Sequence, residues 1–174
     1  MEFKAEVNLE YKDFLAWNKV YAKTSAKKKN TVVNILLVVL TLIMLVSVLL
    51  LIAVDGLDST VITCLVVFTI ALVIKLFGNR INAKMAQKSY LKNAGTQYLS
   101  FGDEALFINN RKGEAKYYYS GIIAFYTDGE RYFLLIDDRH ANVIPKKCFV
   151  DGEPHMFPAF ICEKTGLEMK EIKC

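Results

Sequence analysis

From Val32 to Val54 the chain carries no charge, and its only polar side chains are Asn34, Thr41 and Ser47. Eighteen of these 23 residues are Leu, Ile or Val. After Asp55-Gly56-Leu57-Asp58-Ser59-Thr60 the sequence is apolar again from Val61 to Phe77, with one charge at Lys75. A helix over the first run reaches about 35 Å, enough for a hydrocarbon core of about 30 Å. The apolar residues follow no 3.6-residue face, so such a helix needs apolar surroundings on every side. Lys75 can extend its stem and place its ammonium at the interface. The pattern predicts two membrane spans, 31–54 and 57–77, joined by a tight turn. A soluble domain of 174 residues would have to enclose both helices, and the remaining segments are too polar and too short for that. A cleavable signal peptide fits poorly: the run starts after residue 30, is longer than a signal core, and has no small-residue cleavage site behind it.

Charge sets the expected orientation. Lys12, Lys19, Lys23, Lys27, Lys28 and Lys29 precede the first span; Arg80, Lys84, Lys88 and Lys92 follow the second; the turn between has Asp55 and Asp58 and no base. Both termini are therefore expected in the cytoplasm. By segment, residues 1–30 carry +3, the turn −2, residues 75–102 +5 and residues 103–174 −2. The basic character is juxtamembrane and the C-terminal region slightly acidic. That argues against nucleic acid as a partner and fits attraction to an anionic inner leaflet. The four cysteines, Cys64, Cys148, Cys162 and Cys174, form no CxxC pair, and the three outside the hairpin are expected as reduced thiols.

Met1-Glu-Phe-Lys-Ala-Glu-Val-Asn8 alternates, with Phe3, Ala5 and Val7 on one side, and reads as a half-buried strand. A lone strand needs partners, and the only other strand-rich region lies beyond the hairpin. Asn8 is a candidate cap for a helix over 9–24, with Phe14, Trp17, Val20 and Tyr21 near one face. That face suits an interfacial aromatic belt and a packed helix equally. The second span is expected to continue to Ala94 and stop at Gly95. Strands are expected at 97–101, 105–109, 115–119, 122–126, 131–136 and 141–144, with Asp128-Gly129 as a hairpin turn and Pro145 ending the set. A last helix is expected over 153–164, ending at Gly166, with Met156, Phe157, Phe160 and Ile161 apolar. The organisation is then 1–30 strand and juxtamembrane helix, 31–77 hairpin, 78–95 helix extension and 96–174 cytoplasmic domain.

Three stretches carry a resemblance: Ser100 to Ile108 (SFGDEALFI), Tyr117 to Ile136 (YYYSGIIAFYTDGERYFLLI), and Val143-Ile-Pro-Lys-Lys-Cys-Phe149 ahead of the final helix. With a basic N-terminus and a two-helix hairpin before them, the chain resembles the YcxB-like family of bacterial membrane proteins. Ser120 departs from the family, where an aromatic is common. The resemblance implies a domain similar to bacterial pleckstrin-homology (PH) domains and carries no established activity. The expected fold class is thus an α+β membrane protein. A transmembrane hairpin would bear a cytoplasmic PH-like antiparallel sheet or partial barrel, closed by a C-terminal helix and the N-terminal strand.

No GxSxG, HExxH, Walker loop or dinucleotide turn is present. Cys148, His155 and Cys162 recur every seven residues but lack a fourth ligand and zinc-like spacing, so no metal or cofactor is expected. A thiolate enzyme would need a depressed pKa at Cys148 or Cys162. The candidate contacts are basic: Arg80, Lys84, Lys88 and Lys92 along one helix stripe, and Arg111, Lys112, Lys146 and Lys147 in loops that, with Arg139, could gather at one rim. Lipid head groups are the functional reading; topology-enforcing or merely solvated charge is the bland one, and the favoured one. The expectation is a non-enzymatic bacterial plasma-membrane protein docking a protein, a lipid or a second copy of itself. The alternative is an immunity protein against a membrane-active bacteriocin or toxin.

Overall fold

The computed structural model describes residues 2–55 and 59–173. Gly56, Leu57 and Asp58, within the expected turn and at the start of the expected second span, lie outside the described residues. The elements in order are β1 (Phe3–Val7), α1 (Tyr11–Lys23), α2 (Lys27–Asp55), α3 (Ser59–Asn93), β2 (Gln97–Phe101), β3 (Ala105–Asn110), β4 (Gly113–Tyr118), β5 (Ala124–Thr127), β6 (Arg131–Leu135), β7 (Ala141–Pro145), β8 (Phe149–Asp151), α4 (Phe157–Thr165) and β9 (Met169–Glu171).

β1 alternates as its sequence dictates. Phe3, Ala5 and Val7 are buried, while Glu2, Lys4 and Glu6 are exposed. Its partners come from beyond the hairpin: β1 pairs antiparallel with β2, Phe3 opposite Phe101 and Val7 opposite Gln97, and on its other edge with β8. The five-stranded sheet A has the order β4-β3-β2-β1-β8, and the four-stranded sheet B the order β7-β6-β5-β9. The two sheets do not close into a barrel. All pairings are antiparallel except β5 with β9. The short strands β8 and β9 were not expected from sequence; three residues are too few to show a period. Pro145 is the last residue of β7, opposite Arg131, not the residue that follows the strand.

α4 seals the space between the sheets. Its Phe157 ring lies 4.8 Å from Phe101, 4.9 Å from Phe149, 5.2 Å from Tyr132 and 5.4 Å from Phe3 (centroid distances), mostly edge to face. The helix begins at Phe157, four residues later than expected: residues 154–156 form a turn, and Pro158 in the first turn has no amide to donate to the Pro154 carbonyl, which accepts from the Tyr132 hydroxyl (2.8 Å) instead. Gly166 ends it at φ +69°.

α2 and α3 are long and apolar enough to cross a membrane, and neither apolar stretch is enclosed by the rest of the chain. The hydroxyls of Thr41, Ser47, Thr63 and Thr69 each bond back to the carbonyl four residues earlier at 2.7–2.9 Å, so none is left unsatisfied in an apolar surround. Lys75 donates to the Asn34 side chain on the neighbouring helix. α3 ends as expected: the Ala94 and Gly95 amides both donate to the Tyr90 carbonyl, and Gly95 takes φ +62°.

α1 starts two residues later than expected and Asn8 is not its cap. Glu10 is, and the Asp13 carboxylate accepts from the Glu10 amide (2.8 Å). The helix is packed, not laid in an interface. Phe14 meets Tyr90 of α3 at 5.6 Å, Trp17 stacks on Phe133 of β6 at 6.3 Å, and Asn18 donates to the Asn79 carbonyl (3.1 Å). α1 therefore climbs α3 towards the apolar segment.

Gly152 shows how tightly β1 is held. A Cβ there would lie 2.4 Å from the Phe3 ring, and φ is +79°. Gly152→Ala is expected to destabilise the sheet domain by about 2 kcal/mol or more, from strain plus overpacking. Gly166→Ala, with similar φ but open space, should cost about 1 kcal/mol. Thermal melts of the two variants check the difference. Deleting residues 2–7 removes a central strand and should abolish the cooperative melt of the sheets; an unchanged melt would refute the pairing.

Candidate functional site

The basic residues singled out from sequence fall into three places. The first is α3. Arg80, Lys84, Lys88 and Lys92 are all exposed, and Arg80 stands 5.8 Å from the Phe77 ring centre. Ile81, Met85 and Leu91 are exposed among them. The opposite face of the same turns holds buried Ala83 and Tyr90 against α1. The Tyr90 hydroxyl donates to the Val7 carbonyl (3.1 Å), which ties α3 to the end of β1, and burial pushes its pKa up.

The second place is the β3–β4 turn. Arg111 and Lys112 are exposed there, and the Arg111 guanidinium lies against Gly95, where a Cβ would come within 3.2 Å of Nε. The Arg111 amide also reaches the Ala94 carbonyl (3.4 Å). A cation at a helix C-terminus faces the negative end of its dipole. This turn is at the end of α3 remote from the apolar segment.

The third place lies beside the first turn of α1. Lys147 pairs with Glu10 (3.1 Å), and Lys146 lies 4.9 Å from the Tyr132 ring centre. Together with Lys12 and Arg131 they line a depression of about 360 Å³. The Glu10 carboxyl is held below its ordinary pKa by its hydrogen bond from Lys147 and by Lys12. Arg139 sits in the β6–β7 turn, at the other end of sheet B from Lys146. These loops therefore do not gather at a single rim, in line with the favoured reading of scattered charge. Sheets that stay open leave their loops at separate corners.

A buried ion network was missed from sequence. Arg131, at the start of β6, donates from Nε to Asp13 of α1 (2.7 Å) and from Nη1 to Asp128 (2.9 Å), with Glu130 at 3.0 Å. Asp13 and Arg131 are both buried. Burial disfavours the guanidinium charge, but the hydrogen bonds to Asp13 and Asp128 outweigh it and raise the pKa above the ordinary arginine value. This triad locks the N-terminal helix to the C-terminal sheet. Asp13 in the expected helix and Arg131 just past Asp-Gly were visible in the sequence, but nothing local links positions so far apart.

Cys148 and Cys162 are free thiols. Burial pushes the Cys148 thiol up, the opposite of what a nucleophile needs. His155 is exposed beside Glu153 (3.2 Å), and among the described residues no three metal-ligating side chains converge.

Residues 101–155 match the family model of the YcxB-like protein. The match runs from the last residue of β2 to just before α4 and contains most of the three stretches that carry the sequence resemblance. No curated protein and no solved structure matches the chain.

Asp13→Ala leaves Arg131 buried without the partner of its Nε and is expected to destabilise the fold by about 3 kcal/mol. The double replacement Asp13→Leu with Arg131→Met should cost less than Asp13→Ala alone; chemical denaturation of the three variants checks this. Alkylation of Cys148 in a chain lacking the other cysteines should show a rate midpoint above the ordinary cysteine pKa, returning to the ordinary value in denaturant. A midpoint below it would revive thiolate chemistry.

Proposed function

We propose that the chain is a non-enzymatic bacterial plasma-membrane protein. Its hairpin anchors a PH-like domain at the cytoplasmic face, both termini are cytoplasmic, and a basic collar at the base of the hairpin engages anionic lipid head groups. The observation that carries the reading is the continuity of α3. One unbroken helix runs from an apolar segment into a stripe of four cations and then into β2.

Helix rise sorts the candidates. Measured from Phe77, Arg80 and Lys84 sit about 5 and 10 Å along the axis, Lys88 and Lys92 about 16 and 22 Å. The head-group layer is about 5–8 Å thick on each side, and the Debye length is about 8 Å at physiological salt. For a span close to the bilayer normal, Arg80 and Lys84 reach phosphates, and Lys88, Lys92, Arg111 and Lys112 do not. Lys27, exposed in the first turn of α2, joins the collar from the other helix. Lys146 and Lys147 neighbour the membrane-distal end of α1 and face the domain's own acids. They are left to a protein partner or to stability.

Full-length protein extracted in mild detergent with phosphatidylglycerol tests this by native mass spectrometry. Arg80→Gln with Lys84→Gln should lose retained anionic lipid several-fold, and Lys88→Gln with Lys92→Gln should not. Equal retention in both would remove the collar. Protease treatment of oriented vesicles tests the topology: the sheet domain should be cleaved only when the cytoplasmic face is outside.

A further inference from the structure

We propose that the outer face of sheet A binds a second copy of the chain, face to face, about a two-fold axis running along β2. The inner face of this sheet is filled by the core; the outer face has no cover, yet it carries large apolar groups. Tyr98, Phe107 and Val150 are 55%, 46% and 67% exposed. They border a depression of about 530 Å³ that spreads across β1 to β4. Sequence alternation alone would put polar residues here.

The cross-strand register names the occupant. One row across the outer face reads Asp151, Lys4, Ser100, Phe107, Lys116 from β8 to β4. Ser100 is its centre. Rotation about an axis along β2 places Lys4 against the second copy's Phe107, and Asp151 against the second copy's Lys116. The first is a cation over an aromatic ring and the second an ion pair. The next row has Tyr98 at its centre, with Glu6 on one side and Asn109 on the other. The same rotation brings a carboxylate to an amide. Across the Ser100 row each residue is thus complementary to the one at the same distance on the other side of β2, the condition for a surface that binds itself; in the Tyr98 row the Asn109 amide already donates to Glu114 (3.1 Å), so the pairing rests on the Ser100 row. A foreign partner would not require this relation.

Within one chain these groups already hold weak stand-ins. Lys116 lies 4.6 Å from the Tyr118 ring centre and 5.5 Å from that of Phe107, and Lys4 pairs with Glu2 at 3.1 Å. All are exposed and exchangeable. Each α3 joins its own β2 at the Gln97 end, so an axis along β2 puts both helix-to-strand junctions at the same end of the pair; the bilayer's part in the pairing rests on the membrane reading above. The footprint, five strands by about five residues, is on the order of 400 Å², small for a stable interface. The pair is therefore weak in solution and formed mainly where the membrane concentrates it.

Crosslinking of full-length protein in liposomes tests the face. Facing sheets lie about 10 Å apart, beyond direct disulfide reach, so a short bismaleimide is the probe. Ser100→Cys, on the axis, should give dimer well above both the wild-type chain and Glu168→Cys outside sheet A. In that background Asp151→Lys or Lys116→Glu should lower the yield about tenfold, because each contact occurs twice, and the two together should restore it. A Ser100→Cys yield no higher than that of Glu168→Cys would overturn the proposal. So would single swaps without effect, or a double swap that melts normally but fails to recover. These readouts do not depend on lipid retention, so the collar and the dimer face fail separately.

Discussion

β1 holds its place in sheet A only through neighbours that come from the far side of the hairpin. Val7 is opposite Gln97, with residues 8–96 between them. Relative to a two-residue turn, closing a flexible loop of that length costs about 3 kcal/mol. Phe3 and Val7, both fully buried, contribute about 3–6 kcal/mol together by leaving water. The balance favours pairing, and the ordered hairpin lowers the closure cost further. The consequence is architectural: the hairpin is an insertion between two adjacent strands of one domain. Movement of α1 or α3 is therefore movement at the middle of a sheet, where β8 also depends on β1 for its attachment.

α3 serves two surroundings with one backbone. Its apolar half is not enclosed by the rest of the chain; beyond Phe77 one face turns basic and the other holds buried Ala83 and Tyr90. The Tyr90 hydroxyl, bonded to the Val7 carbonyl, passes the helix position directly to β1. The buried Arg131 with Asp13 and Asp128 does the same for α1 and sheet B. Buried ion networks are costly to assemble and more costly to break, so they fix one arrangement against alternatives. Here that arrangement joins the first twenty residues of the chain to its last third.

The basic surface and the outer sheet face answer to different physics. Charge near a bilayer acts within about a Debye length, so position along α3 decides which cations count. A sheet face acts through contact and register, where one residue of slip would destroy the complementarity. The two surfaces lie on different elements and can operate independently.

The sequence by itself determined whatever is periodic or local. The uncharged runs required helices with apolar surroundings; the alternation of Phe3, Ala5 and Val7 required a half-buried strand; Asp128-Gly129 and Gly95 required a hairpin turn and a helix stop. Each is a short-range rule about backbone and solvent. The tertiary structure alone decided which strands pair, and so made β8 and β9 strands at all, since three residues carry no period. It brought the Tyr132 hydroxyl to the Pro154 carbonyl ahead of α4. It dispersed the basic loops to three corners, because two open sheets do not bring their turns to one rim. It joined Asp13 to Arg131 across 118 positions, a contact that arises only when both elements are already in place.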